Sequence, residues 1–412
     1  LSRGGGRQYG QRAGKEARIR VYADLSGVYD NGIFPVTLTP AGTLGSGVTL
    51  AGAEVNVGAY GFKQYRRTQI GLDYRGGYRH YPTNTFFNGS DHFLGLDARH
   101  QASKHVQYTG NITAGTTNRV FGFANFINVG GLNNLLPFND IFDNRMYFLH
   151  GTGQMNYQVN ARLILTASGE AFAIRRNSTA LVGSNGVMPR GAITYRLSRR
   201  LAVGSTYQFF HLTYPRAFGE AQVHNAMGFV TYQLNKIWSA EVAAGAFRMD
   251  VAGTRVVRAD PVVAQLLGIE NIAEAFSRVT TQPSAQAVLN GAFRRTGVNI
   301  SYARLPAAGN GLTLAGSSHN FSASLQHQPN NRTSFSLTSS YNRFTSVDRI
   351  ERTFTTVFGG VGGTYKVSRA VQVLANASYR HADFTGFGIR RNAIRLQVGI
   401  VLTPSDVPLV FW

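Results

Sequence analysis

The chain has 412 residues, with 41 Lys and Arg against 20 Asp and Glu (net charge +21), 47 Gly, 15% charged and 12% aromatic residues, and no Cys. The missing Cys excludes disulfide staples, thiolate metal centres and c-type haem attachment, and no run approaches the ~18 apolar residues of a membrane-spanning helix. A mean hydropathy of −0.13 still leaves room for a protein that crosses a membrane with strands, because only alternate residues then meet lipid.

Residues 1–17 (LSRGGGRQYGQRAGKEA) are Gly- and Arg-rich without period, and are expected to form a flexible basic tail. One short RGG-like copy gives no nucleic-acid reading. The first residue is Leu1 and no apolar signal core precedes the body, so the chain reads as processed or as part of something longer. From residue 18 onward polar and apolar side chains alternate with period two, as in strands. Over 18–29, Ile19, Val21, Ala23 and Leu25 face one way, and Arg20, Tyr22, Asp24 and Ser26 the other. A Gly-, Pro- and Thr-rich loop at 30–50 precedes a run at 51–62, where Val55 and Val57 oppose Glu54 and Asn56. Ile70, Leu72 and Tyr74 then alternate with Asp73 and Arg75. Past a loop at 80–90, Leu94, Leu96 and Ala98 alternate with Asp97 and Arg99, and a fifth run follows at 106–114.

Residues 116–144 break the pattern with a stretch rich in Phe, Leu, Asn and Gly. A connection this long is uncommon unless functional or disordered, and its apolar content argues against disorder. It is expected to fold into the interior, with Asp140 and Asp143 facing arginines such as Arg20, Arg380 or Arg395 and the apolar run 121–138 against Phe148 and Phe172. The alternative is an apolar loop packed on its neighbours or on a partner. Six clear runs follow at 146–157, 162–174, 187–197, 201–212, 223–234 and 237–247, placing Glu170, Arg190, Arg196 and Glu241 on the polar face. Within the loop 250–282, a Pro and apolar residues at helical spacing (Val263, Leu266, Leu267, Ile272, Phe276) predict a short helix capping the mouth. The last runs are 285–293, 297–304, 319–326, 333–342, 354–367, 370–380 and 392–402, adding Arg380 and Arg395 to the polar face. Two prolines keep 403–412 from being a regular central strand.

The short turns repeat. Tyr157-Gln-Val-Asn, Tyr195-Arg-Leu-Ser, Tyr232-Gln-Leu-Asn and Tyr365-Lys-Val-Ser are near-copies, with looser versions at 63–69, 99–106, 293–298 and 326–333. Aromatic residues end the apolar rows: Tyr157, Tyr195, Tyr232, Trp238 and Tyr365 on the turn side, Tyr29, Tyr78, Phe209, Tyr341 and Tyr379 on the other. Short turns alternating with long loops, apolar outer rows and aromatic girdles resemble a porin-like bacterial outer-membrane β-barrel over nearly the whole chain. The resemblance implies an all-β fold: a closed antiparallel transmembrane β-barrel of about eighteen strands, with short periplasmic turns and long extracellular loops. The barrel would occupy 18–402 in the outer membrane of a Gram-negative bacterium, with 1–17 and 403–412 as periplasmic tails. In the trimeric general porins the third long loop forms a constriction, and 116–144 holds that position here. The final Phe411-Trp412 resembles the aromatic end that such barrels present for insertion, although it lies beyond the last clear strand. A soluble sandwich also alternates, but its core rows would hold large residues rather than the many Ala and Gly found here.

About eighteen strands enclose more space than side chains fill, so the interior should be wet or plugged. The expected function is a channel for small hydrophilic solutes, with the basic balance favouring anions. Candidate lining residues are Arg20, Asp24, Glu54, Asp73, Arg75, Asp97, Arg99, Glu170, Arg196, Glu241, Arg380 and Arg395. Arg20 with Asp24, Asp73 with Arg75 and Asp97 with Arg99 are spaced for ion pairs along single strands. The rival reading is the barrel of an export or envelope complex, for example for polysaccharide, docking an acidic periplasmic or surface protein. Arg66, Arg67, Lys104, Arg199, Arg200, Lys236, Arg294, Arg295 and Arg369 on the turn side would serve there, or would meet lipid phosphates instead. Partners are thus the bilayer, solutes and, on the rival reading, another protein; a homo-oligomer is compatible with either. The ten His lack zinc spacing, and no nucleophile or phosphate-loop motif occurs. His150, His211, His319 and His381 could serve a barrel-wall hydrolase, but lone strand histidines are read as structural. No enzyme, cofactor or metal is expected.

Overall fold

The structure, a computed structural model, describes residues 18–33, 47–117, 144–178, 181–216, 218–258, 265, 271–309, 313–347, 352–385 and 389–403. The tails at 1–17 and 404–412, and the stretch 118–143 with Asp140 and Asp143, lie outside the described residues.

Alternation becomes strand in every run. The strands are β1 (Arg18–Ile33), β2 (Val48–Gln64), β3 (Thr68–His80), β4 (Gly89–Gln101), β5 (Val106–Thr117), β6 (Met146–Gln158), β7 (Leu163–Arg176), β8 (Ser184–Arg196) and β9 (Leu201–Tyr214). They continue with β10 (Gly219–Gln233), β11 (Trp238–Arg258), β12 (Asn271–Ala292), β13 (Thr296–Ala308), β14 (Ala315–His327), β15 (Thr333–Ser346), β16 (Thr353–Lys366), β17 (Val371–Thr385) and β18 (Ile389–Leu402). Each pairs antiparallel with its sequence neighbours, forming one 18-stranded sheet. β1 meets β18 from Ala23↔Leu402 to Asn31↔Ile394, so the sheet closes on itself. Closure satisfies the edge strands, whose unpaired backbone groups would cost several kcal/mol each in lipid.

The repeated turns share one device. The side chains of Ser103, Asn160, Ser198, Asn235, Asn330 and Ser368 each accept hydrogen bonds from the backbone N–H groups two and three residues on, at 2.8–3.2 Å. The Ser or Asn of the repeated motif therefore occupies donors that the tight turn leaves unpaired, as such residues do in Asx and ST turns.

Two expectations need correction. Of the predicted helix in 250–282, Gln265, the one described residue of 259–270, is helical, but 271–282 is strand: β11 and β12 stay in register from Trp238↔Gly291 to Arg258↔Asn271. Ile272 and Phe276 lie on β12, and Phe276 packs on the buried apolar cluster of the interior. Val263, Leu266 and Leu267 lie outside the described residues. A continuous ladder with an apolar docking surface outweighs local helical spacing. The predicted loop at 30–50 is also shorter, because β1 continues to Ile33 through a register shift after Asp30. Gly32 sits at that shift with φ +83°, where only glycine is free of strain.

The outer rows carry large apolar side chains that are exposed, such as Leu25 (61% exposed), Ile112 (53%), Val361 (54%) and Val398 (61%). A water-soluble monomer does not expose a continuous apolar belt; this belt is a surface for lipid. The girdle candidates Tyr157, Tyr195, Tyr232, Tyr365 and Tyr379 are exposed at the belt's edges, and Trp238 packs edge-on against Phe293.

Candidate functional site

The inner rows divide into two sectors. The charged sector spans β18, β1, β2, β3 and β4, and Glu54 is its centre. Glu54 Oε2 accepts from Arg79 Nε at 2.8 Å and from a terminal nitrogen of Arg395 at 2.6 Å, while Glu54 Oε1 accepts from Asn56 at 2.9 Å. Arg79 also donates to Asp91 at 2.9 Å, and Arg395 lies 3.8 Å from Asp30, which accepts from the Tyr81 hydroxyl at 2.5 Å. Asn56 reaches on to Asp24 at 3.2 Å, Ser26 donates to Asp24 at 3.3 Å, and Gln397 donates to Ser26 at 2.9 Å. Glu54, Arg79 and Asp30 are 7%, 3% and 2% exposed. Charges this buried persist only when paired, and this network pairs them.

The second sector lies on the long-loop ends of β6 to β12. There Met146, Phe148, Phe172, Ile174, Met188 and Phe210 belong to one buried apolar cluster. Leu314, in the connection after β13, joins this cluster, and the N–H of Gly309 points to the Tyr214 hydroxyl at 3.4 Å. The described ends of that connection, Gly309 on one side and Thr313 with Leu314 on the other, therefore pack inward. Towards the short turns the inner rows become wet: Asp97, Arg99, Gln154, Arg190, Arg196, Asn290 and Gln326 are exposed.

The predicted lining residues lie on these inner rows, and their partners differ from the sequence expectation. Of the three along-strand pairs, only Arg75 with Asp73 forms, with Nε to Oδ1 at 3.1 Å. Asp24 is held by Asn56 and Ser26; Asp97 accepts from Asn111 at 2.5 Å, and Arg99 lies against the side-chain amide of Gln107. Arg20 and Asp24 are four residues apart, roughly 13 Å along the strand, and Asp97 finds Asn111 directly across the ladder, where partners sit about 5 Å apart. Glu170 takes His150 Nε2 at 2.7 Å, and Glu241 takes the Thr231 hydroxyl at 3.3 Å. Arg20 faces inward on β1 beside Tyr60, and Arg380 is buried on β17 beside Phe358.

Arg79, Asp91, Asp30 and Tyr81 were absent from the sequence expectation. Parity extended through Gly76 and Gly77 puts Arg79 on the same face as Arg75, so a signal existed. Of the histidines considered for hydrolysis, His150 is tied to Glu170, and His211, His319 and His381 are on the outer face. Among the described residues no group of three or more His, Cys, Asp or Glu could hold a metal.

No family model and no curated protein matches the sequence. Solved structures similar to this one include OccK5 (OpdH) of Pseudomonas aeruginosa, at 10% identity over 95% of this chain and 99% of that chain, with a TM-score of 0.45. Pseudomonas aeruginosa OccK2 (OpdF) in complex with glucuronate has 12% identity over 94% of this chain and 98% of that chain, with a TM-score of 0.43. The ferric-catecholate import receptor Fiu of E. coli K12 has 7% identity over 92% of this chain and 81% of that chain, with a TM-score of 0.43. These likenesses are distant, and the fold stands on the chain's own pairing: a closed antiparallel β-barrel of 18 strands.

Proposed function

We propose that the protein is an outer-membrane channel through which small hydrophilic solutes diffuse, with anions favoured. One observation carries the reading: the outer rows are apolar and exposed, while the turn-side inner rows are polar and exposed. A wall that faces lipid outside and water inside suits a conduit. The preference for anions is supported by how the inner charges are engaged. Glu54, Asp73, Asp91 and Glu170 are each tied to a cationic group or histidine of the wall, and Asp24, Asp97 and Glu241 to neutral groups, whereas the Arg196 side chain is exposed with no partner among the described residues. The net charge of +21 adds to the same field.

β1 begins and β18 ends on the short-turn side, beside Phe62 and Val371. In this reading that side is periplasmic, and both termini with it. No catalytic role is assigned. Planar-bilayer recording under a salt gradient tests the proposal. Discrete conductance with a reversal potential on the anion side supports it; a reversal on the cation side removes the preference, and silence removes the channel.

The rival reading, a conduit completed by another protein, draws on the dry long-loop end, where Phe344, Phe354 and Phe384 pack tilted and edge-on at centroid distances of 6.0 and 5.5 Å with at most 2% exposure. A stoichiometric partner co-purified from native membrane, with no conductance from the protein alone, would favour it.

A further inference from the structure

On the outer face, at the long-loop edge of the apolar belt, three tyrosines each bond a histidine 17 or 18 residues further on. These are Tyr74 with His92 (3.1 Å), Tyr207 with His224 (2.6 Å) and Tyr302 with His319 (3.1 Å), each through Nδ1. The third pair differs in its neighbours. His319 lies between Arg304 on β13 and Arg343 on β15, in register with both. Tyr302, His319, Phe321, Tyr341 and Arg343 line a shallow cavity of about 180 Å³.

Neither arginine has a hydrogen-bond or ion-pair partner among the described residues, and Arg304 Nε is enclosed without one. The outward rows of β12 to β16 carry no carboxylate in their described residues. Two guanidinium groups therefore stand uncompensated directly above an aromatic rim, where lipid tails give way to head groups. In the tautomer that takes the Tyr302 hydroxyl proton at Nδ1, His319 has Nε2–H as a third donor. Guanidinium forks match phosphate oxygens, and a position next to apolar surface suits a phosphate that carries acyl chains.

We propose that Arg304, His319 and Arg343 form a site on the outer wall for the phosphate of an acidic lipid in the leaflet at the long-loop end. The inference requires the barrel to sit in a bilayer and is independent of what the channel passes. Native mass spectrometry of the detergent-solubilised protein tests it, titrating dioleoyl phosphatidic acid against dioleoylglycerol, which lacks only the phosphate. Wild-type protein is expected to retain phosphatidic acid selectively. Arg304→Ser with Arg343→Ser should weaken that affinity by about tenfold or more, and Arg304→Lys with Arg343→Lys by only about threefold, since charge is kept while the fork is lost. Both variants should remain heat-resistant barrels of unchanged conductance, which separates failure here from failure of the channel reading. Equal retention of dioleoylglycerol by the wild type overturns the proposal without recourse to any variant. So does unchanged affinity in the serine variant. Inorganic phosphate bound as tightly as phosphatidic acid would make this a free-anion site and overturn the lipid assignment.

Discussion

Glu54 is the residue whose loss should disturb the barrel wall most, and the structure sets the size of the effect. Its carboxylate is shared by Arg79 at 2.8 Å and Arg395 at 2.6 Å, in a setting where Glu54 is 7% exposed. Removing one partner from a buried ion pair costs about 3–5 kcal/mol, because the remaining charge is left without a counter-ion. Here neither cation is stranded: Arg79 keeps Asp91 at 2.9 Å, and Arg395 keeps Asp30 at 3.8 Å. Glu54→Ala should therefore fall at the lower end, about 3 kcal/mol. Equilibrium unfolding in lipid vesicles, followed by tryptophan fluorescence, measures it. The double variant Glu54→Ala with Arg395→Ala should cost less than the sum of the single changes, with a coupling of about 1 kcal/mol or more. An effect of Glu54→Ala below about 1 kcal/mol, or additivity within about 0.3 kcal/mol, would refute the network as described. In bilayers, Glu54→Ala should also move the reversal potential further toward anions, since a negative charge leaves the wall.

Asn235→Ala removes the acceptor for the N–H groups of Ile237 and Trp238, and should lower stability by about 1 kcal/mol in the same unfolding assay. Ser198→Ala and Ser368→Ala should match it, since they remove the same device. The two faces can be compared with arginine: Ile112→Arg on the outer face should cost about 2–4 kcal/mol near the bilayer midplane, while Gln154→Arg on the inner face should be tolerated. Similar costs at both positions would contradict the assignment of faces. Arg196→Glu should shift the bilayer reversal potential toward cations with little change in stability, and an unmoved potential would take Arg196 out of the ion path.

The strands and turns were legible in the sequence because their causes are local. Period-two alternation follows from strand geometry, and the Ser or Asn of each repeated turn acts on N–H groups two and three residues away. The charged network was only half legible. Glu54 and Arg395 could be assigned to the inner face by parity, but they meet across 341 residues of sequence, and only closure between β1 and β18 brings them together. Reading along single strands paired Arg20 with Asp24 and Asp97 with Arg99, whereas the ladder offers nearer partners. Arg79 was missed because Gly76 and Gly77 interrupt the alternation that would have carried the reading to it. Ile272 and Phe276 misled in the opposite way: helical spacing there coincided with a strand whose partner is fixed by the register of β11.

The chain contains no Cys, so single cysteines placed along β15 would report its two faces without background. In the barrel set in lipid vesicles, cysteines at Ser334, Ser336, Thr338 and Ser340 should react with a membrane-impermeant thiol reagent. A fluorophore at Phe335, Leu337, Ser339 or Tyr341 should instead be quenched from within the lipid. Strict alternation of the two signals is the result expected of a wall between lipid and a watery interior. Uniform labelling along the strand, or reagent access at the outward positions alone, would contradict it.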